Sequence, residues 1–384
     1  MLGVSLGLLA AMMAVEPDTS IWTPSLPLAP PTQAQRRVPN GIPHLLYVNY
    51  DGAVLQSGCG NDAHYDCSSL ADLFDGYVGP YQDNDNARMA ILQATREAVS
   101  EFGIWVVTRR PPDDIDYTMV IYGDLGEQSF AGIAPYIDCE DLHPGDTSFT
   151  QAFTGSNTGS TVILQEAAHT WGLEHVDSEL DILNPFKASG TSQSFVDDCF
   201  RIVANTELQP TPGSCNQIHT QFCEEGWQNS WREMMLLFGP HIPDVTPPEF
   251  EITEPADDSV FVYPVTFSLR GEIDDELHPQ FYTIEMYLGD QLLEDPPEQY
   301  VTFDQVIKDP PPGEYNLRVV VIDEAGNASE DTIAFTILPE GSELPEEEEE
   351  NDAPAGETCR VGERPVAGLP LLLLLVLFGA RRRG

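Results

Sequence analysis

Residues 165–175 read QEAAHTWGLEH, inside STVILQEAAHTWGLEHVDSELDILNP. A helix places residues i and i+4 on one face, so Gln165 and His169 project toward one spot with Glu166 beside them. Gly172 can adopt the left-handed conformation that ends a helix and reverses the chain, which returns His175 to the same spot. Two helical donors, a neighbouring carboxylate and a third donor after a glycine turn form the arrangement a catalytic zinc ion needs, with a fourth position left for water. The apolar run Val162-Ile163-Leu164 predicts that this helix is buried. The fold must therefore carry a buried helix, a sharp reversal and a return segment packed beneath them.

The stretch matches H-E-x-x-H-x-x-G-x-x-H at every fixed position except the first, where Gln165 replaces a histidine. Upstream, Pro43 to Tyr50 reads as a strand. Asn86 to Phe102 reads as a helix with Met89, Leu92, Val99 and Phe102 on one stripe and Asp85 or Asn86 as its cap. Trp105–Val107 and Tyr117–Ile121 read as strands, and Gly155 to Thr161 as an approach to the motif helix. Strand, long helix, two strands, then motif helix resembles the order of metzincin zinc-peptidase catalytic domains. The resemblance implies a mixed sheet with long helices over roughly residues 42–190. It also implies zinc held by His169 and His175, with Gln165 in the remaining ligand place and Glu166 as general base. Gly172 is then the structural turn, and Leu183, in Asp181-Ile182-Leu183-Asn184-Pro185, stands where the family has a methionine beneath the metal. Trp171 is expected to pack on the motif helix.

Glutamine offers a neutral amide oxygen, a donor better suited to hard ions than to zinc. Three readings stay open: Gln165 Oε1 ligates zinc weakly and the chain is a metalloendopeptidase; another side chain completes the site, His143 being the nearest in sequence; or the site is dead and the domain is a surface binding or adhesion protein. His64, His219, His241 and His278 show no ligand spacing.

Six cysteines, Cys59, Cys67, Cys139, Cys199, Cys215 and Cys223, lie in the same region and predict three disulfides in an exported protein. Short loops favour Cys59–Cys67 and Cys215–Cys223, leaving Cys139–Cys199, among fifteen possible connectivities. Residues 1–15, MLGVSLGLLAAMMAV, have the length of a signal-peptide core, with no basic residue ahead of it. Residues 16–40 are Pro-rich and read as an unstructured leader.

After residues 41–240, which hold the motif, residues 245–338 alternate with period two. Tyr282, Ile284, Met286 and Leu288 share one face, and Leu317, Val319 and Val321 repeat the pattern. Pro-Pro-Gly and Ala-Gly-Asn turns separate the runs, and the ending GEYNLRVVVIDEAGNASEDTIAFTI resembles bacterial immunoglobulin-like surface domains. The expected fold is therefore an α+β metzincin-like domain followed by an all-β immunoglobulin-like sandwich. Residues 339–358 read as an acidic linker. Residues 359–384 place Cys359, an apolar stretch and Arg381-Arg382-Arg383 in the order of a myxobacterial-type C-terminal sorting segment. That resemblance implies attachment through Cys359 and display at the outer surface; a retained short anchor is the plainer alternative.

The 384 residues carry 17 basic and 63 acidic side chains, a net charge of −46. So acidic a surface excludes a nucleic-acid partner, which needs a basic face. The metzincin resemblance implies an extracellular protein or peptide as the substrate. Calcium could use some of the acids, yet no complete D-x-[DN]-x-[DN]-G loop occurs.

Overall fold

The computed structural model describes residues 42–345, apart from Asp83, Thr154, 187–192, Asn205 and 294–297. The expected export segment (1–15), leader (16–40) and sorting tail (359–384, with Cys359) lie outside the described residues, as does most of the acidic linker.

The first part is a five-stranded mixed sheet. Strand β1 (His44–Asn49) leads into helix α1 (Asp85–Val99), which returns the chain to β2 (Ile104–Val107) and then β3 (Tyr117–Gly123). Next come β4 (Gly132–Ile133), β5 (Thr147–Gln151) and helix α2 (Ser156–Thr170). The sheet order is β2-β1-β3-β5-β4. Neighbours are parallel except the edge strand β4, which runs antiparallel to β5 (Gly132 opposite Thr150). All seven residues of β3 are buried, as expected of a central parallel strand covered on both faces. Alternate side chains serve two cores. Leu46, Val48, Val120 and Tyr122 pack with α1 and α2. Tyr47, Tyr117, Met119 and Ile121 pack on the other face with Leu55, Ala63 and Phe74.

Two local expectations are corrected. The cap of α1 is Asn84, whose extended backbone lets its side chain accept the Ala87 N–H; Asp85 is already helical. Gly155 to Thr161 is not an approach but the cap and first turns of α2. These small residues let the helix lie close to β3: a Cβ on Gly159 would sit 2.8 Å from the Tyr122 hydroxyl.

The bridges are Cys59–Cys67, Cys139–Cys215 and Cys199–Cys223. The pairing Cys215–Cys223 preferred from loop length does not occur, and neither does Cys139–Cys199. Helix α3 (Asn216–His219) intervenes, with His219 N–H bonded to the Cys215 carbonyl and Cys223 N–H to the His219 carbonyl. Eight residues of helix-like rise separate the two cysteines by about 12 Å, beyond the reach of a disulfide.

Helix α4 (Ser230–Phe238) closes this part, with Met234, Leu237 and Phe238 in the core beside α1 and α2. The second part is a two-sheet β-sandwich. One sheet is β6 (Glu249–Glu254), β8 (Thr266–Asp274) and β10 (Phe303–Lys308); before β8 comes β7 (Ser259–Val262). The other sheet runs β7, β12 (Ala328–Leu338), β11 (Gly313–Ile322) and β9 (Tyr282–Leu288), extended by short segments on β9. Tyr282, Ile284, Val319, Val321, Ile333 and Phe335 meet Leu269 and Phe303 between the sheets, on the faces that the alternation predicts. The sandwich packs on the first part, and the compact unit runs on to Ser342.

Candidate metal centre

Helix α2 is buried on every side from Gly159 to Thr170, so its polar side chains sit in the interior and need partners there. Its end is a Schellman motif. Gly172 N–H bonds the His169 carbonyl and Leu173 N–H the Ala168 carbonyl, with Gly172 at φ +97°. A Cβ on Gly172 would also come within 2.8 Å of the Asp138 carbonyl oxygen. The reversal brings His175 onto His169: the two Nε2 atoms are 3.1 Å apart.

The tautomer of His169 follows from its other contact. Its Nδ1 lies 2.8 Å from the Leu173 carbonyl oxygen, which can only accept, so Nδ1 carries the proton and Nε2 the lone pair. A main-chain acceptor behind the ring is the usual second contact of a metal-binding histidine. Burial pushes His169 down to about 4, only partly offset by that carbonyl. Burial, then the neighbouring His169, pushes His175 well below its ordinary value. Both rings are neutral at pH 7, the state a metal ligand requires. Their 3.1 Å separation is a normal N–H···N length. It is also close to the ~3.3 Å edge of a tetrahedron with zinc–nitrogen bonds of 2.0–2.1 Å.

Gln165 and Glu166 are equally enclosed. Gln165 Nε2 donates to the carbonyls of Ile182 (2.9 Å) and Asn184 (2.7 Å), flanking the fully buried Leu183. That turn is clamped: Asp181 accepts the Leu183 N–H and the Ser230 hydroxyl, and Asn184 Nδ2 donates to the Val176 carbonyl. With both amide hydrogens committed, Oε1 is the one lone-pair donor left on the Gln165 side chain. Glu166 is fully buried, and neither carboxylate oxygen has a hydrogen-bond partner at normal geometry. Burial raises its carboxyl well above the usual range, and the backbone of Ala134 pulls only weakly the other way. Gly132 of β4 makes room for it: a Cβ there would lie 2.6 Å from Glu166 Cγ.

Other expected residues sit elsewhere. His143 pairs with Asp138 (3.2 Å). Among the described residues no third His, Cys, Asp or Glu joins His169 and His175 in one ligand-sized cluster. Trp171 packs behind the helix, its Nε1 donating to Thr118 Oγ1 and its ring against Phe238. The six cysteines are all bridged. Nothing in the sequence pattern points to Glu174, which lines a cavity of about 170 Å³ with His169, His175, Thr211 and Ser214. Glu174 also meets His219, and His219 Nδ1 lies 3.0 Å from Glu233, making a buried acid–imidazole–acid triad. These three are 45 and 14 residues apart along the chain, and only the packing of α3 and α4 brings them together.

No protein-family model matches the chain, and no curated protein is similar to it. Among solved structures, a fibronectin(III)-like module of Clostridium thermocellum CbhA is similar at 18% identity and a TM-score of 0.21, over 23% of this chain and 96% of that one. The SGBP-B protein of a Bacteroides ovatus mixed-linkage glucan utilisation locus is similar at 13% identity and a TM-score of 0.16, over 24% of each chain. The PKD domain of the human VPS10 domain-containing receptor SorCS2 is similar at 12% identity and a TM-score of 0.18, over 26% of this chain and 78% of that one. Scores this low carry no argument.

Proposed function

We propose that residues 42–240 form a metzincin-like zinc endopeptidase acting on extracellular protein or peptide, joined to an immunoglobulin-like module that holds it at the cell surface. The observation that carries this reading is the pair of buried, neutral imidazoles of His169 and His175 with facing Nε2 atoms, at the end of a helix that also buries Glu166 completely. A buried carboxylate costs free energy, and a cation beside it removes that cost. The donor set suits zinc in its two nitrogens and departs from it in the third: His169 Nε2, His175 Nε2 and Gln165 Oε1 would hold the ion. Zinc, when bound, polarises a carbonyl oxygen and lowers the pKa of water.

The chain's own groups do the rest. Glu166, once ionised beside a bound cation, would take a proton from the attacking water and return it to the leaving nitrogen. Gly132 leaves space for that carboxyl. Strand β4 is the sheet edge beside α2. The order β1, α1, β2, β3 follows the expected one, and two further strands, β4 and β5, intervene before α2.

One observation favours a second reading, a non-catalytic binding protein on the same scaffold. The cavity beside the histidines, about 170 Å³, is smaller than the roughly 300–1,000 Å³ of typical ligand pockets. The full chain tests both. After dialysis the proposal expects close to one zinc per chain and cleavage of casein, with Glu166→Gln keeping the metal and losing cleavage. Zinc without cleavage selects the second reading; neither zinc nor cleavage sinks the enzyme.

A further inference from the structure

Three carboxylates meet where the two parts join. Asp244 ends the connector after α4, Asp275 follows β8 and Asp323 follows β11. One carboxylate oxygen from each lies within 4.8 Å of the other two, although they are remote in sequence. All three are more than nine-tenths buried, at 8%, 7% and 5% exposure. Backbone N–H groups hold each in place. Thr246 N–H donates to Asp244 Oδ1, Leu277 N–H to Asp275 Oδ1 and Asn327 N–H to Asp323 Oδ1. Gln280 adds a second donor to Asp275 Oδ1, and the Asn327 amide donates to Asp323 Oδ2.

Two oxygens are left over. Asp244 Oδ2 and Asp275 Oδ2 are buried without any hydrogen-bond partner. Among the described residues no guanidinium lies within ion-pair distance of them: Arg96, which faces the junction from α1, gives its hydrogen bonds to the carbonyls of Val106, Leu277 and Pro279 and acts on Asp275 only at longer range. Like charges this close repel strongly in a buried place. Burial, then Asp244, Glu276 and Asp323, pushes Asp275 up to about 6, and burial also raises Asp244.

We propose that Asp244, Asp275 and Asp323 form a calcium site that locks the sandwich onto the first part of the chain. The donors are all oxygen, the set a hard cation takes. Calcium–oxygen bonds of 2.3–2.6 Å place opposite ligands up to ~5 Å apart, consistent with the 4.8 Å limit on the separations found here. One aspartate comes from the connector and two come from loops of the sandwich, so the ion ties the joint itself. The other dense cluster, Glu174, Cys215 and His219, offers no thiolate, because Cys215 is bridged to Cys139.

The test uses the full chain, titrated calorimetrically with Ca²⁺ and melted in Ca²⁺ or in EGTA. One saturable site is expected, with a melting temperature several degrees higher in Ca²⁺. Asp244→Asn and Asp275→Asn each abolish both effects, while Asp290→Asn, at an exposed acid of the same sandwich, keeps them. In EGTA, Asp275→Asn melts at or above the unaltered chain, because it removes a repelling charge without a cation to hold. Absence of the site, a response that survives in both variants, or an equal response to Mg²⁺ would overturn the proposal.

Discussion

Gln165 turns the amide-nitrogen side of its side chain toward Ile182 and Asn184, so its chemistry as a ligand rests on Oε1. One of these carbonyls would accept Nδ1–H from a histidine at this position, leaving Nε2 free as the lone-pair atom. Gln165→His should therefore tighten zinc at least ~10-fold, on the scale by which even indirect contacts change metal affinity. Gln165→Ala should weaken it by a similar factor. Competition against a chromophoric chelator measures both, and an unchanged affinity in Gln165→Ala removes Gln165 from the ligand set. The motif made His169, His175 and Gly172 legible, because helical periodicity and a glycine reversal are local properties. The carbonyl clamp on Gln165 was not legible, since it depends on how the 181–184 turn folds back under α2.

Helix α2 can be so apolar and so buried only because its two ends are controlled. Gly172 at φ +97° cannot be replaced without strain, and its neighbours leave no room for a methyl group. Gly172→Ala should cost about 1–2 kcal/mol from the left-handed conformation alone, with more from the clash, and should lower zinc affinity with stability as His175 is displaced. Urea unfolding and the chelator assay read the two effects. Helices α3 and α4 fix the Glu174–His219–Glu233 triad. Burial alone would lower the pKa of His219, but the hydrogen bonds to Glu174 and Glu233 outweigh it and hold the ring at about 9. A folded value above the ordinary 6.5 stabilises fully below about pH 6.5 and loses its effect as pH rises through about 9. The unaltered chain should thus exceed His219→Gln in urea stability at about pH 6, with the gap closing by about pH 10; a gap that does not move means the ring is uncharged. The Cys139–Cys215 bridge closes a 76-residue loop over this region. Replacing both cysteines with serine should cost about 4 kcal/mol by loop-closure entropy. Loop length alone misjudged this bridge because α3 keeps its two nearer cysteines apart.

At the scale of the molecule, period-two patterning marked the sandwich as a separate β unit, and its core does form from the alternating residues. What patterning cannot carry is the contact between the two parts, because it joins side chains and carbonyls about 180 residues apart. Arg96 of α1 reaches the carbonyls of Leu277 and Pro279 across the joint and Val106 within the first part, while Gln93 bonds Glu324 and Trp105 Nε1 bonds the Ile242 carbonyl. The loops of the sandwich complete the surroundings of α1 and β2. Arg96→Ala leaves three part-buried carbonyls without their charged donor, at about 1–3 kcal/mol each, without touching α2 or the histidine pair. Scanning calorimetry should then split one unfolding transition of the unaltered chain into two, the sandwich melting apart from the motif domain. Zinc content should stay unchanged, since the proposed metal ligands and the joint lie on different elements. If Arg96→Ala still melts in a single step at an unchanged temperature, the two parts are coupled elsewhere, and the junction is a contact rather than a lock.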